Sequence, residues 1–118
     1  PGSGGIVSTV EDIADFYRAL LSGRVLRPAE LKAMKTLVSE RTGKAIKAGS
    51  GYGLGIGRLG SWCAGWGHSG ELPGYDVSPA FSADGERQVV LMINHDATTL
   101  PKRAYALYQR LYVKAFCG

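Results

Sequence analysis

The chain has 118 residues, 45% of them hydrophobic, with 14 lysines and arginines against 10 aspartates and glutamates, a formal net charge of +4. These figures fit one small globular domain and, with no run of 18 apolar residues, exclude a transmembrane helix. The basic residues are scattered over 24–58 and 102–114 with acids between them, a solvated basic surface and not the concentrated stripe that a nucleic-acid partner requires. The 17 glycines concentrate at 49–74, which points to tight turns and close backbone approaches there.

Ser8-Thr9-Val10-Glu11 has the form of a capping box, a hydroxyl followed three residues later by a carboxylate. Ile13, Phe16, Tyr17, Leu20 and Leu21 then recur on one helical face, and Gly23 suits the C′ position, so a helix is expected over about 9–22. Pro28 fits the first turn of a second, short helix reaching about Leu37, with Leu31 and Met34 inward. Residues 38–50 are polar and basic and read as a loop or weak hairpin.

Residues 52–58 alternate Tyr, Leu and Ile with Gly as a strand, Gly60-Ser61 marks a turn, and 62–70 reads as a second strand. Pro73-Gly74 signals a turn or bulge. Residues 75–82 are again strand-like, with Pro79 suggesting an edge or a bulge. Asp84-Gly85 is a hairpin signal. Residues 88–94 contain the continuous apolar run Val89 to Ile93, expected to be central or buried on both faces. Residues 101–116 form the last helix, with Leu107, Leu111, Ala104 and Ala115 on one stripe and Tyr105, Tyr108, Tyr112 and Phe116 on the next. The order gives an α+β layer, an antiparallel sheet with N- and C-terminal helices packed on it.

Several patterns compete as sites. Gly55-Ile56-Gly57-Arg58-Leu59-Gly60 matches the dinucleotide fingerprint, but a strand-like run follows where that motif needs a helix, so it reads as a glycine-rich hairpin and no cofactor is implied. His95-Asp96 ends an apolar strand without a Gly-x-Ser-x-Gly elbow and reads as a strand-end turn. Tyr105, Tyr108 and Tyr112 read as packing residues with wet hydroxyls. No close Cys pair suggests a metal, and Cys63 and Cys117 are either two thiols or one disulfide. A bridge between them would close a loop of about 55 residues and stabilise by roughly 4 kcal/mol.

The run Trp66-Gly67-His68-Ser69-Gly70-Glu71-Leu72-Pro73-Gly74-Tyr75 carries the chemistry. A basic residue, a hydroxyl and a glycine in succession on a strand edge suit one wall of an acyl-transfer site: the hydroxyl can donate to a carboxylate, the glycine gives clearance, and strand N–H groups can stabilise an oxyanion.

This run, with Ile6-Val7-Ser8-Thr9, Tyr52-Gly53-Leu54-Gly55 and Phe116-Cys117-Gly118 in the same order, resembles the serine penicillin-recognising enzymes: D-Ala-D-Ala carboxypeptidases, class C β-lactamases and related esterases. The resemblance spans nearly the whole chain, and His in place of Lys at the head of the motif is more similar to the carboxypeptidases. No serine has Lys three residues later and no tyrosine has Asn or Ser two residues later, so the family's other two motifs are absent. The resemblance therefore implies the C-terminal segment of a β-lactamase/transpeptidase-like fold. The N-terminal remainder of the same enzyme would be its partner, and the isolated chain would be inactive. It implies that His68 and Ser69 contact the substrate carboxylate, that Gly70 gives clearance, and that the Glu71 backbone N–H is an oxyanion donor. The missing serine would be acylated by a peptidoglycan stem peptide or a β-lactam. It also implies a Cys63–Cys117 disulfide and secretion to the cell-wall space. A β-lactamase or esterase on this fold, or a catalytically dead binding module, are the alternatives.

Overall fold

The computed structural model describes residues 4–39, 41–46, 50–59, 65–96 and 99–118. The first helix, α1 (Val10–Leu21), starts at Thr9, whose Oγ1 accepts from the Asp12 N–H at 3.1 Å. Thr9 is the cap instead of Ser8 because its extended backbone turns the hydroxyl onto the first turn, where Glu11 and Asp12 also suit the positive end of the helix. At the other end Gly23 takes φ 78°. The Gly23 and Arg24 N–H groups donate to the Leu20 and Ala19 carbonyls, the Schellman arrangement. Leu20 and Leu21 are buried, while Phe16, expected inward, lies at the rim of the stripe and is half exposed.

Helix α2 (Pro28–Met34) ends three residues short of Leu37. The Met34 carbonyl accepts from the Leu54 N–H at 3.0 Å, which ties the helix end to a glycine-rich turn and sends Leu37 into the core from a loop. The following segment is a weak hairpin, as expected, held by bridges from Val38 to Ala45 and to Tyr52.

The glycine-rich stretch is not one strand. It forms β1 (Gly51–Tyr52) and β2 (Gly57–Leu59), paired antiparallel around a turn at Gly55. The remaining strands are β3 (Gly65–Gly67), β4 (Gly70–Leu72), β5 (Tyr75–Phe81) and β6 (Gln88–Ile93), and the last helix is α3 (Lys102–Cys117). All pairings among the described residues are antiparallel. Strand β5 lies between β6 on one side and β3 with β4 on the other, and β2 and β1 continue from β3.

Two expectations are corrected here. Pro79 sits in the central strand, neither at an edge nor in a bulge. Strand β6, in spite of its apolar run, pairs only with β5 among the described residues and is largely half-buried, with Met92 exposed. Its composition fits a central strand, but no strand among the described residues covers its outer edge.

The sheet divides the molecule into two layers. On one face Trp66 and Phe81, Cα partners across β3 and β5, join Leu21, Leu37 and Ile56 in the core, with Tyr17 of α1 stacked on Phe81 at 4.4 Å. Phe81 is 0% exposed; full burial of such a ring contributes about 2–3 kcal/mol. On the other face α3 presents its tyrosine stripe and Phe116 to the sheet, while Leu107 and Leu111 face outward. Gly65 makes this approach possible: a Cβ there would lie 2.9 Å from the Ala80 Cβ and 3.0 Å from the Phe116 ring.

Candidate active site

The strand expected over 62–70 is split, and the split falls on the motif. Trp66 pairs with Phe81 and Gly70 with Val77, so the register is the same on both sides of the break and His68 stands opposite Pro79. Leu72 and Tyr75 flank the two-residue turn Pro73-Gly74, with Gly74 at φ 85° as a type II turn requires. In such a hairpin the flanking pair is the hydrogen-bonded one, and alternation makes Glu71–Asp76 a non-bonded pair and His68–Pro79 a bonded position. Proline has no N–H to give the His68 carbonyl. The ladder therefore opens at His68-Ser69, and the Ser69 and Glu71 N–H groups are directed away from β5.

The Pro79 carbonyl accepts from the Tyr112 hydroxyl of α3 at 3.2 Å. Gly67 lies so close that a Cβ there would be 2.7 Å from the same oxygen.

His68, Ser69 and Gly70 are all exposed. The His68 ring donates from Nδ1 to the Ser69 carbonyl at 2.6 Å. The Tyr52 ring meets the imidazole edge-on at 5.6 Å between centroids. An open pocket of about 500 Å³ lies on this side, and its lining brings His68 and Ser69 together with Tyr52, Ser39, Arg41 and Arg58. Arg41 and Arg58 are the residues that sequence reasoning missed. They sit in the weak hairpin and in β2, and only the pairing of β1, β2 and β3 carries them to the motif. A pocket lined by two arginines, a histidine and several hydroxyl residues is suited to a carboxylate.

Sequence reasoning also missed Tyr17, which periodicity marks only as a core position of α1. Burial pushes its phenol above the ordinary value, the His68 backbone opposes that rise, and Tyr52 adds to it.

On the opposite face an open groove of about 780 Å³ runs between the β4–β5 hairpin and α3, with Ser69 again on its rim. The tyrosines here are not merely wet packing residues. Tyr108 donates to Asp76 Oδ1 at 2.8 Å, Ser78 donates to the same oxygen, and burial first, then Asp76, pushes the Tyr108 phenol up to about 12. His95 donates from Nδ1 to the Asp96 carbonyl in a strand-end turn, as expected. Cys63 lies outside the described residues; Cys117, at the end of α3, is not a free thiol.

An antiparallel sheet with helices on both faces, and a His-Ser-Gly strand edge beside a cationic pocket, define a hydrolase-type fold, and the chain belongs to the beta-lactamase family, whose model matches residues 2–114. Among solved structures it is similar to a D-stereospecific amidohydrolase from Streptomyces sp., at 33% identity and a TM-score of 0.63 over 75% of this chain. The chain spans 26% of that protein's length.

Proposed function

We propose that the chain is the C-terminal wall of a serine D-Ala-D-Ala carboxypeptidase, completed by an N-terminal portion that carries the nucleophile. The observation that carries this reading is the convergence of Arg41, Arg58, His68 and Ser69 on one pocket, a receptor for the free C-terminal carboxylate that distinguishes a carboxypeptidase substrate. In the reaction the missing serine attacks the penultimate D-Ala carbonyl, D-Ala leaves, and water hydrolyses the acyl-enzyme. Ser69 and His68 hold the carboxylate. Gly70 leaves room for the substrate backbone, and the Glu71 N–H stabilises the oxyanion. A β-lactam acylates the same serine. The outer edge of β6, which no strand among the described residues covers, and the outward Leu107 and Leu111 are the surfaces that the N-terminal portion would cover.

The isolated chain is inactive on this reading. The enzyme works in the cell-wall space on peptidoglycan stem peptides, and Cys63 pairs with Cys117. Intact mass before and after reduction tests the pairing; an unchanged mass would refute it.

A second reading is a D-amino-acid amide hydrolase on the same fold, favoured by the similarity to the amidohydrolase. The deciding experiment uses the full-length protein and compares a D-Ala-D-Ala peptide with its C-terminal amide, alongside penicillin labelling followed by mass. Preference for the free acid, lost in Arg58→Ala, supports the carboxypeptidase. Equal turnover of acid and amide supports the amidohydrolase. No adduct and no turnover would leave the binding module.

A further inference from the structure

His68 is exposed and stands at the break between β3 and β4. The hydrogen bond from its Nδ1 to the Ser69 carbonyl ties the ring only to the next residue of the same break. An exposed side chain there is free to take several rotamers, whereas a carboxylate receptor requires the imidazole in one position.

A second restraint reaches the ring from β1. The Tyr52 and His68 rings lie 5.6 Å apart between centroids with 73° between planes, the edge-to-face arrangement that aromatic pairs prefer. Tyr52 is itself anchored. Its N–H donates to the Val38 carbonyl at 3.0 Å, and its carbonyl accepts from the Val38 N–H at 2.9 Å. Its Cα partner on β2 is Gly57, whose own partner on β3 is Gly67, the residue before His68. That row of two glycines puts no side chain between β1 and the motif. A Cβ at Gly57 would already stand 3.5 Å from Tyr52 Cδ2, so a larger residue there would crowd the ring. Val38 also bridges to Ala45, which ties the hairpin that carries Arg41 to the same anchor.

We propose that Tyr52 is a positioning residue: its ring, fixed by the β1–β2 pairing and the bridge to Val38, sets the orientation of the His68 imidazole in the carboxylate pocket. The proposal rests on the reading of His68 as a substrate-side group. The aromatic ring does this work and the hydroxyl does not, so phenylalanine serves in its place and an aliphatic residue fails. Tyr52 brings no charge to the pocket and takes no part in the chemical step. It orders an exposed side chain before the substrate arrives, and so removes that ordering cost from binding. The effect falls on the substrate's carboxylate, the group that His68 meets.

The test compares Tyr52→Leu with Tyr52→Phe in the full-length protein, on a free-acid D-Ala-D-Ala peptide and on its C-terminal amide. In Tyr52→Leu the kcat/KM for the free acid should fall about fivefold, the loss expected for one aromatic pair, chiefly through KM, and the amide should lose less. The His68 ring-proton resonances, assigned by their disappearance in His68→Gln, should shift in Tyr52→Leu, because the current of the neighbouring ring is gone. Tyr52→Phe should keep the wild-type resonances and the wild-type preference for the acid. A tyrosine that only supports the fold would instead lower Tm and slow both substrates alike. Unchanged His68 resonances in Tyr52→Leu, or a loss in Tyr52→Phe equal to that in Tyr52→Leu, would overturn the proposal. Should Tyr52→Leu fail to fold, the wild-type protein decides: a nuclear Overhauser contact between the Tyr52 and His68 rings supports the proposal, and its absence overturns it. If the wild-type protein turns over neither peptide and forms no acyl-enzyme, the carboxypeptidase reading fails, and the ring resonances still decide whether Tyr52 holds the imidazole.

Discussion

Replacing Pro79 by alanine tests the account of the strand break directly. The ring of Pro79 is fully buried, and the change removes two buried methylenes, about 1.6 kcal/mol. It also frees the unfolded chain, which costs a further ~0.4–1 kcal/mol. Against this, an alanine at that position has an N–H aimed at the His68 carbonyl across a register already in place, and one new hydrogen bond returns about 1 kcal/mol. The packing and chain-freedom losses win, and the variant should be less stable by roughly 1–1.5 kcal/mol although it gains a hydrogen bond. Urea unfolding of the full-length protein gives the first quantity, and amide exchange at the introduced alanine gives the second. That new amide should be protected, because β3 and β4 close into one strand. If it exchanges as fast as an amide in an open loop, the placement of His68 opposite Pro79 is wrong, and with it the physical reason for the break.

Phe81→Ala should cost about 3–5 kcal/mol, because the ring is fully buried between Tyr17, Trp66 and the α1 core; a loss below about 1 kcal/mol in urea unfolding would mean that this core is not the one that holds the sheet. Tyr108 governs part of the alkaline limit. Its phenol is raised from 10.0 to about 12, so the folded state favours the protonated form; that stability is full below pH 10 and is lost as pH rises through 12. Tyr108→Phe should flatten the dependence of the urea midpoint on pH between 10 and 12, and an unaltered slope would contradict the assignment. Tyr17 and Tyr112, both raised by burial, should leave a residual dependence in that variant.

What was legible in the sequence was local. The ends of α1 and the β4–β5 turn follow from residues within a few positions of one another, Thr9 with Asp12, Gly23 with Leu20, and Pro73 with Gly74. The His68-Ser69-Gly70 motif was legible for the same reason, since three adjacent residues specify an edge, a hydroxyl and clearance. The family followed from it and from the order of the other glycine-rich runs. The capping position was missed by one residue, and α2 was drawn too long, because a carbonyl at its end, that of Met34, is claimed by Leu54 from a distant turn.

Periodicity reports which residues prefer to be buried and says nothing about which strand will lie beside which. The apolar run of β6 could therefore be read as a central strand, while the proline-containing β5 took that place. Arg41 and Arg58 look like ordinary solvated cations until β1, β2 and β3 pair and bring them to His68. The sequence by itself determined the Gly23 end of α1, the Pro73-Gly74 turn and the His68-Ser69-Gly70 run as a candidate site, because short-range backbone chemistry is sufficient for each. Only the tertiary structure decided the strand order and the cationic pocket, because those depend on contacts between residues that the chain separates by tens of positions and that no local preference encodes.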